Sequence, residues 1–244
     1  MQHELRKVGT RPGRSVVSVA VRVQPRQLAF ALPHAESLTR DNFLEGPANA
    51  AGLGLIERWP EWPARTMWLA GPEGSGKSHL AAVWAELAGA RSTMAHTLSA
   101  ATVPAALVTG ALVVEDLKAN DFDELALFHL LNLAREEQAC VLIPARAPPS
   151  AIEVELRDLR SRLRALPVVS LTEPDDRLFR ALIVKFCADR QLAVDESVVG
   201  YLATRIERSY AAARQAVEQL DREALRLSRP VTRALAAELF RSPA

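Results

Sequence analysis

Short apolar runs alternate with stretches of helical period over the first two thirds of the chain. The apolar runs, which predict buried strands, lie at residues 66–70, 111–114, 139–143 and 167–171. The stretches between them, which predict helices, lie at residues 48–58, 79–87, 121–138 and 153–165. Strands that are apolar on both faces must be covered on both, which indicates an α/β fold with a parallel sheet flanked by helices.

From residue 173 onward the pattern changes to helices alone. We place these helices at residues 175–190, 195–207, 209–227 and 230–241. The sequence therefore predicts an α/β domain over residues 34–172 and a small all-helical lid domain over residues 173–244. Two further segments precede these domains: a flexible basic arm at residues 1–26 and a short peptide at residues 27–33.

Charge is distributed unevenly along a chain whose net charge is only +1. Residues 1–26 hold six basic side chains and one acidic side chain, so the remainder of the chain is net negative. Most affinity for nucleic acid comes from neutralising phosphates, which a negative body does poorly. We therefore expect DNA contact only indirectly, through a partner, or weakly, through the basic arm.

Cysteine content and hydropathy bear on where the protein works. Cys140 and Cys187 are the only cysteines, and Cys140 opens an apolar run that is typical of a reduced core position. No apolar run near the N-terminus approaches the roughly 20 residues that span a bilayer. We expect a cytoplasmic protein that does not enter a membrane.

The segment that follows the first predicted strand carries the strongest chemical signal. It contains a G-x-x-x-x-G-K-S motif between a strand and a helix, comprising Gly71, Gly74, Ser75, Gly76, Lys77 and Ser78. In such a loop the backbone N–H groups surround a phosphate, the lysine reaches the β- and γ-phosphate oxygens, and the serine hydroxyl holds Mg²⁺. The motif predicts a site for a nucleoside di- or triphosphate, the alternative being a chance match in a glycine-containing turn.

Two acidic residues, Glu115 and Asp116, end the second predicted strand. Acids at this edge of the sheet face the metal and the attacking water in phosphoryl-transfer sites, so we assign Glu115 a metal-ligand role and both acids catalytic roles. A solvated acidic turn is the alternative. The longer acid stands first, the reverse of the usual order, which predicts weak hydrolysis.

These residues, together with others along the chain, resemble the AAA+ ATPases of the DnaA/Hda family, and most of all its shorter branch, the regulatory inactivators of DnaA. The resemblance covers about residues 27–241. It rests on Asp41-Asn42-Phe43-x-x-Gly46-Pro47-x-Asn49, on Gly76-Lys77-Ser78-His79-Leu80 and on Leu159-Arg160-Ser161-Arg162-Leu163. It implies a P-loop AAA+ sheet with a helical lid, and bound ADP or ATP with Mg²⁺.

The resemblance also implies roles for residues outside the P-loop. Asn42, Phe43 and His79 are expected at the nucleotide, and Arg208 is expected to contact phosphate from the lid. Arg205 and Arg214 remain alternatives to Arg208, because the chain is rich in arginine. Arg162 falls where the family carries an arginine finger, which acts on the nucleotide of a neighbouring subunit; a solvated helix charge is the alternative.

Two departures from the family pattern limit what the resemblance implies. The turn after the third predicted strand offers only Arg146 where the family places a polar side chain near the γ-phosphate. The chain ends at Ala244, which predicts that the helix-turn-helix domain of full initiators is absent. We expect weak intrinsic ATPase activity and stable ADP binding.

A short peptide, with Gln27, Leu28, Phe30 and Leu32, resembles the motif by which proteins dock on the bacterial sliding clamp. The period-two spacing of its apolar residues equally suits an edge strand.

The leading hypothesis is a negative regulator of replication initiation that binds ADP, docks on the clamp and stimulates ATP hydrolysis by DnaA. A nucleotide-gated adaptor that promotes no hydrolysis and a small-molecule kinase are the alternatives. Self-association through the nucleotide face is a further expectation.

Overall fold

One parallel sheet forms the centre of the protein in the computed structural model, which describes residues 38–241. Its five strands are β1 (Thr66–Ala70), β2 (Arg91–Met94), β3 (Ala111–Glu115), β4 (Cys140–Ala145) and β5 (Val168–Ser170), in the order β2-β3-β4-β1-β5. The helices in the described part of the chain are α1 (Ala50–Glu57), α2 (Lys77–Ala88), α3 (Val103–Ala106), α4 (Glu124–Glu136), α5 (Arg157–Ala165), α6 (Asp176–Asp189), α7 (Glu196–Ala203), α8 (Tyr210–Leu227) and α9 (Arg233–Leu239).

Successive residues of each central strand enter opposite cores. Trp68 and Ala70 of β1 pack with apolar residues of α4 and α5, whereas Met67 and Leu69 pack with α1 and α2. All five residues of β1 are buried, because helices cover both faces of the sheet. The predicted α/β fold with a parallel sheet is therefore confirmed.

The helices that follow β5 enclose a core of their own. Phe179, Ile183, Val198 and Leu220 are among its fully buried side chains. Side-chain oxygens cap the starts of these helices: Asp175 accepts from Leu178 N, Asp195 from Val198 N, Ser209 from Ala212 N and Thr232 from Leu235 N. The all-helical C-terminal region is confirmed, while the boundary between residues 172 and 173 stays a prediction.

Strand β2 is an element that the hydropathy pattern did not predict. It lies at the edge of the sheet, pairs only with β3, and has the sequence Arg-Ser-Thr-Met, of which three residues are exposed. Its polar sequence lacks the apolar run by which the other four strands were recognised. Backbone pairing with β3 defines it instead.

Helix α5 begins four residues later than predicted, at Arg157 rather than residue 153. The carboxylate of Glu124, the first residue of α4, accepts hydrogen bonds from Glu155 N at 2.8 Å and from Leu156 N at 2.7 Å. These bonds hold the segment before α5 outside the helix.

Some predictions concern other parts of the chain. The basic arm and the peptide with Gln27, Leu28, Phe30 and Leu32 lie outside the described residues. Within residues 38–241, no helix is both long enough and apolar enough to cross a membrane.

Candidate nucleotide site

The loop between β1 and α2 has the backbone that its glycines predict. Gly74 and Gly76 have φ angles of 70° and 93°, in the left-handed region that side chains disfavour. Helix α2 starts at Lys77, directly after Gly76, so the N–H groups of its first turn face the loop. This places the positive end of the helix at the loop, as phosphate binding requires.

Lys77 is folded back onto the loop that carries it. Its ammonium donates to the carbonyl oxygens of Gly71 at 2.8 Å and Pro72 at 2.6 Å. Burial lowers the pKa of Lys77, and the Arg146 guanidinium lowers it further, while Glu73 and Glu115 oppose the shift. Lys77 therefore lies among charges of both signs, one guanidinium and two carboxylates.

Helix α8 packs its first turn against the same loop. Tyr210 N donates to Gly74 O at 2.8 Å, and a Cβ atom on Gly74 would lie 2.8 Å from Ser209 Cβ. Only glycine permits this approach. The Tyr210 hydroxyl donates to Leu44 O at 3.2 Å, which ties α8 to the segment before α1 as well.

The segment before α1 lies against the start of α2. Phe43 is buried and meets the His79 ring edge to face, with centroids 5.2 Å apart. The His79 Nε2 atom is 2.8 Å from Thr39 O, and Asn42 Nδ2 donates to Thr39 Oγ1 at 3.2 Å. These contacts bring Asn42, Phe43 and His79 together beside the loop, while their contact with a nucleotide stays a prediction.

A cavity of about 480 Å³ opens between the loop, α6 and α8. It is of the size that small-molecule ligands occupy in proteins. Its lining residues are Leu38, Asn42, Gly74, Gly76, Lys77, Ser78, His79, Leu182, Lys185, Phe186, Asp189, Arg190, Tyr210, Ala211 and Arg214. A glycine loop, a serine hydroxyl, two lysines and two arginines line this cavity, and Lys185 and Arg190 form ion pairs with Asp189 and Glu218. The loop with Lys77, Ser78 and Arg214 forms a donor set that fits a polyphosphate.

The two acids at the end of β3 differ in their surroundings. Burial raises the pKa of Glu115, Asp116 adds to that increase, and Lys77 opposes it. Asp116 has a φ of 57°, and its carboxylate pairs with Lys118 at 2.6 Å. Only Glu115 thus interacts with the loop lysine in this arrangement.

Comparison with known proteins supports a specific fold. No protein-family model matches the chain. An uncharacterised protein of Haemophilus influenzae is 28% identical over 222 residues, which are 85% of this chain and 95% of that protein. Domain III of the replication initiation protein DnaA from Thermotoga maritima superposes with a TM-score of 0.68 at 18% identity, covering 87% of this chain and 100% of the domain.

The chain has the AAA+ fold of DnaA domain III. Two more structures share this architecture. AMPPCP-bound DnaA from Aquifex aeolicus has a TM-score of 0.62 at 18% identity, covering 80% of this chain and 68% of that one. A variant of RuvB from Thermotoga maritima has a TM-score of 0.66 at 16% identity, covering 84% and 71%.

The helical C-terminal region brings Arg190 and Arg214 to the cavity but not Arg208, the arginine that the resemblance indicated. Arg208 is exposed and forms an ion pair with Asp176 at 3.5 Å, outside the cavity lining. Arg205 lies over the Tyr201 ring, 5.6 Å from its centroid. Arg214, one turn into α8, lines the cavity together with Lys77. Of Arg205, Arg208 and Arg214, Arg214 is thus the one that lines the cavity, while the arginine contact with phosphate stays a prediction.

Arg162 is on α5, away from the lining of its own chain's cavity. Its guanidinium lies over the Phe128 ring of α4, 5.3 Å from the centroid. A cation above an aromatic face contributes about 0.5–1 kcal/mol at an exposed site and more where it is desolvated. Arg160, the neighbouring arginine, instead donates to Val154 O at 3.2 Å.

Glu73 lies in the glycine loop, and motif reasoning gave it no role. Its carboxylate pairs with Arg146, just after β4, at 2.9 Å. Position 73 is one of the unspecified positions of the motif, so only the pairing with a distant arginine draws attention to it.

No group of three or more His, Cys, Asp or Glu side chains arranged to hold a metal ion occurs in residues 38–241. The predicted ligands Ser78 and Glu115 supply one hydroxyl and one carboxylate. For Mg²⁺, which is bound through few protein ligands plus water and phosphate oxygens, this donor set is chemically suitable.

We expect Glu115→Gln to stabilise the fold at neutral pH. Because the pKa of Glu115 is raised mainly by burial, its ionised form costs folding free energy once the pH exceeds its unfolded value of 4.5. Below pH 4.5, Glu115 is protonated in both the folded and the unfolded chain, so its burial costs no stability there. The cost grows as the pH rises above 4.5 and is complete once the pH exceeds the pKa of Glu115 in the folded chain. Thermal melts at several pH values should show a gain in Tm at about pH 7.5 that shrinks towards pH 4.5.

The matched control is Glu61→Gln, which changes an exposed glutamate. It should leave Tm unchanged across the same range. A lower Tm for Glu115→Gln at neutral pH would contradict the electrostatic account of this position.

Proposed function

We propose that this protein binds ADP or ATP in the cavity between the glycine loop, α6 and α8. The observation that carries the proposal is the placement of Lys77 and Arg214 on one cavity beside a loop of phosphate-binding conformation. The loop is formed by Gly71, Gly74, Ser75 and Gly76. Three further residues lie beside it: Asn42, Phe43 and His79. AMPPCP-bound DnaA, which has the same fold, adds support.

Ser78 and Glu115 are the residues that would hold Mg²⁺. When bound, Mg²⁺ neutralises charge on phosphate oxygens. Lys77 contributes a further positive charge, and Arg214 contributes a guanidinium from the lid. Asp116, paired with Lys118, is the weaker of the two proposed catalytic acids, which supports slow hydrolysis by the protein itself.

We infer a role in regulating chromosome replication, by stimulating ATP hydrolysis in DnaA. The similarity to a replication initiation protein supports the process, and the position of Arg162 supports the mechanism. A guanidinium presented to a neighbour's nucleotide neutralises the charge that builds on the γ-phosphoryl group, worth about 10³–10⁵ in rate. Arg162 does not line its own chain's cavity, which is compatible with a residue that acts on a neighbour.

The sliding clamp is the second proposed partner, through Gln27, Leu28, Phe30 and Leu32. The glutamine amide would enter a polar notch while the three apolar side chains enter a groove. DNA contact would be indirect, through the clamp, or weak, through the basic arm. The proposed work on DnaA places the protein in the cytoplasm, and self-association through the nucleotide face remains compatible with a trans-acting arginine.

A reconstituted assay tests this function. DnaA carrying ATP is mixed with clamp loaded on DNA and with this protein, and the nucleotide on DnaA is followed with time. We expect DnaA·ADP to accumulate only when all components are present, and we expect ADP to be recovered from the purified protein. Full ADP binding with no effect on DnaA-bound ATP would contradict the regulatory role.

A nucleotide-gated adaptor is the second candidate function. It is favoured by the contact between Arg162 and Phe128, which occupies the guanidinium within its own chain. An adaptor would bind DnaA or another replication factor in a nucleotide-dependent manner without accumulation of DnaA·ADP. The same assay therefore separates the two functions.

A further inference from the structure

An ion pair joins the glycine loop to the end of β4. The Arg146 Nη1 atom is 2.9 Å from Glu73 Oε2. The backbone fixes this proximity, because Gly71 N donates to Ala145 O at 3.2 Å and Ala70 pairs with Ala145 in the sheet. Residue 146 therefore lies next to the start of the loop whichever rotamers the two side chains adopt.

The pair lies beside the loop lysine. The Lys77 ammonium donates to Gly71 O at 2.8 Å and to Pro72 O at 2.6 Å, and Glu73, which holds Arg146, is the next residue of the loop. In a loop of this kind the lysine reaches the β- and γ-phosphate oxygens. The charges of Glu73 and Arg146 would thus lie near the γ-phosphate of a bound nucleotide, the group that a triphosphate has and a diphosphate lacks.

We propose that Glu73, by repelling a γ-phosphate and by holding Arg146 in an ion pair, makes this site prefer nucleoside diphosphates over triphosphates. The inference rests on the proposed binding of ADP or ATP. A triphosphate brings additional negative charge to the end of the cavity at Lys77, and Glu73 opposes that charge. Arg146 would otherwise favour it, but its guanidinium is already neutralised by the carboxylate.

The position of the pair makes it suitable for substitution. The side chains of Arg146 and Glu73 are 63% and 68% exposed, so their mutual attraction adds little to fold stability. A bound polyphosphate carries several negative charges, so we expect each residue to affect nucleotide affinity more than it affects folding. Replacing either residue should therefore change nucleotide preference without unfolding the chain.

The test measures the Kd of ADP and of AMPPCP, a triphosphate analogue that is not hydrolysed, by competition against a fluorescent ADP. We expect Glu73→Gln to raise the affinity for AMPPCP relative to ADP by about fivefold or more at low salt, since unit charges near a protein surface interact on this scale. Salt should diminish the change. Arg146→Gln should shift the ratio in the opposite direction.

The double variant tests whether Glu73 acts through Arg146. With glutamine at position 146, Glu73→Gln should produce a smaller gain in the AMPPCP to ADP ratio than it produces alone. Glu223→Gln is the matched control, because it breaks the Glu223–Arg226 ion pair on α8 outside the cavity lining. It should leave the ratio unchanged.

The outcomes separate this inference from the proposed function. If the wild-type protein binds neither nucleotide, the proposed function fails and the inference fails with it. If it binds both, and Glu73→Gln leaves the ratio within twofold of wild type, the inference alone is overturned. An equal gain with and without Arg146 would overturn the part of the inference that assigns the effect to the ion pair.

Discussion

Lys77→Ala should weaken ADP binding by about a hundredfold or more. Each hydrogen bond from a charged group contributes about 1.5–3 kcal/mol, and each 1.4 kcal/mol is a factor of ten in Kd, so the loss of two bonds to phosphate oxygens accounts for this magnitude. Isothermal titration calorimetry with ADP measures the loss directly. Of the two lysines that line the cavity, Lys77 and Lys185, Lys77 is the one that follows the glycine loop.

Lys118→Ala is the matched control, since it removes a lysine that pairs with Asp116 and does not line the cavity. It should bind ADP as the wild type does. In the absence of nucleotide, Lys77→Ala also loses the bonds to Gly71 O and Pro72 O, so thermal melts should accompany the titrations. If a folded Lys77→Ala protein binds ADP as tightly as the wild type, the glycine loop is not part of the ADP site.

Arg162→Ala should reduce the stimulation of DnaA-bound ATP hydrolysis by about a thousandfold, the lower end of what an arginine finger contributes. The physical reason is the loss of a positive charge at the γ-phosphoryl group of the neighbouring subunit. ADP binding by the variant itself should not change, because Arg162 does not line its own chain's cavity. Single-turnover hydrolysis by DnaA in the reconstituted assay gives the rate.

The control for this prediction is Arg164→Ala, an arginine two residues along the same helix. It removes the same charge from α5 and should leave stimulation largely intact. If DnaA hydrolyses ATP at the same rate with Arg162→Ala as with Arg164→Ala, Arg162 is not an arginine finger. Stimulation that falls in both variants alike would indicate a general electrostatic attraction between α5 and DnaA.

The local part of the site could be predicted from the sequence. The loop from Gly71 to Ser78 lies between a buried strand and a helix, and its conformation depends on glycines at positions that any chain of this pattern would share. Asn42, Phe43 and His79 were placed by resemblance, and the structure brings them together beside the loop. The Gln27 to Leu32 peptide stays a prediction, because it lies outside the described residues.

The arginines could not be assigned in the same way. Three arginines lie near one another in sequence: Arg205, Arg208 and Arg214. Their spacing alone does not predict which of them faces the glycine loop. The Tyr210 N to Gly74 O bond sets how α8 docks, and this docking brings Arg214 to the cavity while Arg208 pairs with Asp176.

The sequence by itself determined the α/β class, the inner strands and the phosphate-binding loop, because buried strands and tight turns leave a signature in consecutive residues. Only the tertiary structure decided that β2 joins the edge, that Arg214 lines the cavity and that Glu73 meets Arg146. These features depend on contacts between residues far apart in the chain. They are stabilised by backbone pairing and by attraction between charges, which cannot be predicted from a local pattern of apolar and polar residues.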